Sequence, residues 1–288
     1  MIENELKKRI VDEMKDRLPN FASSAKFAIS IGINAAQLSR VLNGEIDGVL
    51  SDAKWLNVAR SLDVPVNKDL EWLTVETPTY QYIYTQLSLC QSGHLSGVFC
   101  DLAAIGKTHT ALCYVKENKN AIRIDCSQVK TKQLFIRQIA KEFGVQHNGR
   151  YHDVYSSLVW HIRSLPNALV ILDEAGDLKY EAFLEIKALW NATEGACGWY
   201  LMGANGLKKK IEDNMNSNKV GYEEIFSRSG DKFQWIVPAG QAEREKFLND
   251  QVAMVAKANK AVNLKTLVVK NQGSLRRLFF DMTKPKIA

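Results

Sequence analysis

Apolar and polar positions follow three successive rhythms along the chain. Residues 1–70 carry their apolar side chains at helical spacing and read as helices throughout. A short linker follows around Thr74–Thr79, where Pro78 breaks the pattern. From there to about Pro238, short apolar runs of β type alternate with helical segments. The runs are Gly97–Cys100, Ala121–Asp125, Leu169–Leu172, Trp199–Gly203 and Phe233–Val237. Such alternation predicts a parallel sheet flanked by helices, an α/β fold. Residues 241–288 return to helix, and no internal repeat interrupts the scheme. The boundaries expected are 1–70 for a helical domain, 71–78 for a linker, 79–240 for the sheet-containing core and 241–288 for a small helical end.

Composition changes this picture little. Hydrophobic residues at 46% and charged residues at 24% exclude a disordered or collagen-like chain. No apolar run approaches the ~20 residues of a membrane span, and the opening MIENELKKRI lacks the apolar core of a signal peptide. The five cysteines form no CxxC pair, which reads as reduced thiols of an intracellular protein with no zinc site. His109, His147 and His152 have no metal-ligand spacing with carboxylates or cysteines.

Charge says more. The net charge of +6 is unevenly spread. Residues 1–70 hold ten basic and ten acidic side chains, whereas residues 257–288 hold eight basic residues against the single acid Asp281. A basic tail on a near-neutral body suits either a phosphate-backbone surface or a solvated helix face.

Ser24–Asn43 (SAKFAISIGINAAQLSRVLN) has the spacing of a helix-turn-helix. Phe27, Ala28 and Ile31 are expected to face inward from the first helix, and Gly32 to supply the positive φ of the turn. Ile33, Leu38 and Val41 anchor the second helix and leave Asn34, Gln37 and Arg40 on its outer face, residue types that hydrogen-bond base edges. The stretch resembles the helix-turn-helix of phage repressors. A helical hairpin with no DNA role fits the same pattern, and the module's zero net charge means that backbone affinity has to come from elsewhere in the chain.

The core carries two further motifs. Asp101–Thr108 (DLAAIGKT) follows a strand and opens a helix at His109, the context of a P-loop. Backbone N–H groups across Ala104, Ile105, Gly106, Lys107, Thr108 and His109 are expected to hold phosphates. Lys107 would neutralise the β- and γ-phosphates, and the Thr108 hydroxyl would ligate Mg²⁺. Asp101 stands where the usual pattern begins with glycine, and Ala104 where glycine is frequent. Asp tolerates a left-handed turn, but its carboxylate is unhelpful near phosphates. Leu169–Leu172 then runs into Asp173 and Glu174. A buried parallel strand ending in Asp delivers a carboxylate to the Mg²⁺ shell, with Glu174 placed to polarise an attacking water. Tyr80, Tyr82 and Tyr84 read as packing of the helix before the core, with an adenine-flanking role as the less favoured alternative.

With these elements in this order the chain resembles the AAA+ ATPases. The resemblance implies a P-loop three-layer core with a C-terminal helical lid, ATP and Mg²⁺ as cofactors, Asn205 as a polar group beside γ-phosphate, Arg228 as an arginine finger acting on a neighbouring subunit, and Arg276 as a lid arginine. Within that superfamily the layout is similar to the phage Mu transposition protein B family, ATPase partners of DDE transposases. That likeness implies double-stranded DNA, a transposase and further copies of the chain in a helical filament as partners, a cytoplasmic, nucleoid-associated location, and no membrane. Lys130, Lys132 and Arg150 are then the loop residues expected to line a DNA-binding surface. A helicase loader, or a non-hydrolysing regulator that senses nucleotide, are the alternatives.

Overall fold

The apolar runs pair into a parallel sheet that is covered on both faces, the setting in which strands read as near-continuous apolar runs. In the computed structural model, residues 4–64 and 72–283 are described. The first residue of the expected linker, and Lys284 and Lys286 of the basic tail, lie outside the described residues.

The N-terminal unit comprises α1 (Asn4–Arg17), α2 (Ser24–Ser30), α3 (Ala35–Leu42) and α4 (Asp52–Ser61). Its core is built from Ile10, Met14, Phe27, Ala28, Leu38, Val41 and Trp55. Phe27, Ala28 and Ile31 on the first side and Ile33, Leu38 and Val41 on the second are all buried, matching the inward positions read from sequence. Gly32 has φ +76° in the turn between α2 and α3.

The core follows as α5 (Pro78–Gly93), β1 (Ser96–Cys100), α6 (Lys107–Glu117), β2 (Ala121–Asp125), α7 (Lys132–Glu142), α8 (Tyr151–Ser164), β3 (Ala168–Asp173), α9 (Tyr180–Ala192), β4 (Cys197–Gly203), α10 (Asn205–Asn216), α11 (Tyr222–Arg228) and β5 (Phe233–Gln234). Three more helices close the chain, α12 (Gln241–Ala258), α13 (Leu264–Asn271) and α14 (Leu275–Thr283). The strand order is β2-β3-β4-β1-β5, with every neighbouring pair parallel. Alternate strand residues serve two apolar layers. Ile122, Ile124, Val170, Leu172 and Trp199 pack with the helices from α7 to α11, while Phe99, Leu169, Ile171, Tyr200 and Met202 pack with α5 and α6. Because β4 lies between β1 and β3, the loops after these three strands meet at one edge of the sheet.

Two sequence expectations change. Pro78 does not break the pattern; it occupies the first turn of α5, where its missing N–H costs nothing, and the Thr77 side chain accepts a hydrogen bond from Tyr80 N–H. The last strand is only Phe233–Gln234, not Phe233–Val237. The N–H groups of Ile236 and Val237 donate to the Asp101 carboxylate at 2.8 and 3.0 Å, which ends the ladder.

The N-terminal unit is docked on the core. Asn120 N–H donates to Asn20 O at 3.1 Å, the Asn20 side chain donates to Lys116 O, and Lys116 pairs with Glu13 at 2.9 Å. Gly144, with φ +65°, sits so close to the Lys26 backbone that an added Cβ would lie 2.0 Å from its carbonyl oxygen. Only glycine allows that approach.

Candidate functional site

The loop between β1 and α6 bends through two left-handed residues, Ala104 at φ +61° and Gly106 at φ +105°, before Lys107 starts the helix. Helix α6 therefore begins two residues earlier than His109, and the N–H groups of its first turn lack intrahelical acceptors. Asp101 is not one of the positive-φ residues. Its buried carboxylate accepts from Leu102 N–H at 2.7 Å as well as from Ile236 and Val237. In place of the expected conflict with phosphate, this carboxylate has a structural role. Through it, three backbone donors tie the loop to the segment after β5.

Lys107 is buried and its ammonium donates to Leu102 O at 2.6 Å and Asp101 O at 3.1 Å. Burial pulls its pKa below the ordinary lysine value, while Glu174, Asp101 and Asp173 act in the opposite sense. A buried cation hydrogen-bonded to neutral carbonyls at the start of a helix is suited to receive an anion.

Asp173 ends β3 with no exposed surface. Glu174, next in chain, adopts φ +51° and is turned into a cavity of about 320 Å³. Burial raises the Glu174 pKa first, the nearby Asp173 charge raises it further, and Lys107 lowers it. Ala104, Gly106, Lys107, Thr108, His109 and Arg276 also line this cavity. Ile105 and Asp173 do not. Ile105 is a buried peg among Ile83, Phe99 and Ala111, and the Asp173 carboxylate is turned to Arg123.

The other wall is apolar. Trp72 meets Phe279 edge-on with ring centroids 5.0 Å apart, and Tyr80, Val75 and Leu275 complete this side. Tyr80 thus belongs to the cavity while also stacking on Tyr84 at 5.6 Å; Tyr82 and Tyr84 pack against Phe99 and Tyr114. His109 Nε2 lies 3.0 Å from Thr74 Oγ1, and burial lowers its pKa. Leu275 N–H donates to Ala104 O at 3.0 Å, so α14 is fastened to the loop, with Arg276 next to the bond. Sequence reading missed Trp72 and Phe279, whose only signal was two aromatics outside the sheet region.

Residues 91–211 match the family described as AAA domain. Over those residues the chain is similar to AAA domains. It resembles transposition protein B as well: over 225 residues it is 24% identical to the Mu-like prophage FluMu DNA transposition protein B of Haemophilus influenzae, spanning 76% of this chain and 77% of that protein.

The remaining candidates distribute unevenly around the cavity. Asn205 opens α10 directly after β4, at the sheet edge between the β1 and β3 loops, but does not line the cavity. Arg228 ends α11 as an exposed residue away from the cavity, with its guanidinium 5.9 Å from the Trp190 ring centroid. Lys130 and Lys132 are paired with Asp177 (3.6 Å) and Glu185 (2.6 Å), and Arg150 is exposed at the start of α8. On α3, Asn34 is the N-cap: its side chain accepts from Gln37 N–H at 2.7 Å, and Gln37 Oε1 accepts from Asn34 N–H at 3.3 Å. Arg40 pairs with Glu45 at 2.7 Å. Among the described residues no group of three or more His, Cys, Asp and Glu side chains could hold a metal ion, and no helix is long and apolar enough to cross a membrane.

Proposed function

We propose that the chain is an ATP- and Mg²⁺-dependent ATPase that binds double-stranded DNA largely without regard to sequence, oligomerises on it, selects target DNA for transposition and activates a DDE transposase. The observation that carries the reading is the cavity on which Lys107, Thr108, Glu174 and Arg276 converge from three different elements. A basic, helix-capped loop on one side and an aromatic wall on the other suit phosphates and a base. The likeness to a protein named as a DNA transposition protein supports the DNA and transposase half.

Mg²⁺ fits this residue set. It keeps several waters and is usually held by one or two carboxylates plus substrate phosphates, so a dedicated protein cage is not needed. Thr108 and Asp173 are the residues that would hold it, and the buried Asp173 carboxylate is already paired with Arg123. Bound Mg²⁺ supplies neutralisation of the charge that develops on the phosphoryl oxygens. The chain's own groups do the rest. Loop N–H groups and Lys107 bind and orient the phosphates, Glu174 accepts a proton from the attacking water, and Arg276 brings α14 over the phosphates. Asn205 is assigned to positioning water at the sheet edge. Arg228, exposed and outside its own subunit's cavity, is assigned to the neighbouring subunit's site.

DNA contact is assigned to the basic C-terminal helices and to Lys130, Lys132 and Arg150, with Asn34, Gln37 and Arg40 contributing from α3. The test is steady-state ATP turnover with and without duplexes of unrelated sequence, together with DNA binding across a salt series. Turnover is expected to rise several-fold with any duplex, and binding to fall linearly on a log–log salt plot. Turnover indifferent to DNA, with salt-insensitive binding, would contradict the reading.

A further inference from the structure

Arg123 is the one charged residue inside the otherwise apolar β2 run Ala121–Ile124. Alternation along the strand puts its side chain on the same face as that of Asp125, and the parallel register pairs Asp125 with Asp173 on β3. The guanidinium therefore reaches diagonally across the ladder. Its Nε and Nη2 both donate to Asp173 Oδ2, at 3.0 and 2.8 Å, and Nη2 lies 3.9 Å from Asp125 Oδ2. The other Asp173 oxygen, Oδ1, accepts from Glu174 N–H at 3.1 Å. With the carboxylate side chain only 1% exposed, its orientation is set by this arginine on Oδ2 and by the Glu174 N–H on Oδ1.

We propose that Arg123 is a positioning residue for the divalent cation: by holding Oδ2 it fixes the Asp173 carboxylate so that Oδ1 serves the cation or its water. This rests on reading the cavity as an Mg²⁺–nucleotide site. Two N–H groups on one oxygen define a plane, which a single point charge would not do. Groups standing behind a metal ligand in this way typically change metal affinity by about 10–100-fold when removed. Arg123 does not line the nucleotide cavity. Its guanidinium opens instead on a separate cleft between core and N-terminal unit, lined also by Arg17, Asp63 and Glu142. Its removal therefore leaves the phosphate-binding loop untouched.

The experiment uses the full chain and a fluorescent ATP analogue, with binding measured in EDTA and across an Mg²⁺ titration. Wild type, Arg123→Gln, Asp173→Asn and the double variant are compared. In EDTA wild type and Arg123→Gln should bind alike, because Lys107 and the loop carry the phosphates. Arg123→Gln should need about tenfold more Mg²⁺ for its half-maximal effect, and adding it to Asp173→Asn should change nothing further. A wild-type Mg²⁺ midpoint in folded Arg123→Gln would overturn the proposal, as would a shift that adds in full to that of Asp173→Asn. If Arg123→Gln does not fold, Arg123→Lys carries the test: a smaller shift in the same direction supports the proposal and a wild-type midpoint overturns it. Failure of the underlying reading shows separately, as wild-type binding that is absent or indifferent to Mg²⁺.

Discussion

At the sheet edge, Lys107 is held by two neutral carbonyls and Glu174 faces an open cavity; on α3, Asn34 and Gln37 cap their own helix and Arg40 is neutralised by Glu45. Both regions read as ligand-binding from residue types alone. They differ in what a ligand must displace. A phosphate at Lys107 would replace hydrogen bonds to carbonyl dipoles, an exchange that favours the charge-assisted bond. A base edge or phosphate at α3 competes with a capping box and an ion pair, for a unit with no net charge to draw DNA in. An anion at the loop would break no ion pair of Lys107's own, whereas a ligand at α3 would have to break contacts that serve the helix's own fold. Residue type marks a candidate, and the partners it already has decide how readily it binds.

The sharpest way to break this comparison is Lys107→Ala. Loss of the cation that the loop turns inward should weaken ATP binding by about 1,000-fold, equivalent to about 4 kcal/mol, measured by titration with a fluorescent analogue. Near wild-type affinity would put the phosphates elsewhere. Next comes Asp101→Gly, which restores the glycine usual at that place in the loop. It should destabilise the protein even so, by about 3 kcal/mol, because the Leu102, Ile236 and Val237 N–H groups lose their acceptor. A thermal melt reads the result, and an unchanged or raised Tm would show that those three bonds contribute little.

The smallest effect concerns how the two regions are joined. His161 on α8 is buried, and its pKa is lowered from 6.5 to about 4, by desolvation first and by Lys26 of the N-terminal unit second. Since the folded state resists protonation, the unfolded chain takes up the proton first as pH falls. Stability from this group is therefore complete above about pH 6.5 and is lost progressively as pH falls towards 4. At pH 5 the loss should be about 1–2 kcal/mol in urea unfolding, and His161→Phe should flatten that pH dependence. An equal slope in the variant would assign the acid sensitivity to other groups.

Much of the architecture was legible because its causes are local. Val170, Ile171 and Leu172 are strand-forming and buried on both faces, so periodicity and composition place β3 to within a residue or two of its ends. The loop motif and the Asp173–Glu174 pair are local in the same sense. What escaped was set by partners far along the chain. Asp101 reads as a defect in a glycine motif until Ile236 and Val237 come beside it, and that same contact is why β5 is shorter than its apolar run. Arg123 reads as an interruption of a strand until register brings Asp173 opposite. The aromatic wall of Trp72 and Phe279 joins a linker residue to one in the last helix, and no spacing rule connects them.

Glu174 lines the cavity at the sheet edge with a raised pKa, and in the function proposed it activates water there beside bound ATP. Parallel measurement of ATP binding and single-turnover hydrolysis in Glu174→Gln tests it most directly. Binding should remain at the wild-type level while hydrolysis falls by at least about 100-fold, the range general-base removal commonly costs, leaving the ATP-bound state trapped on DNA. Equal hydrolysis rates in wild type and Glu174→Gln would contradict the account.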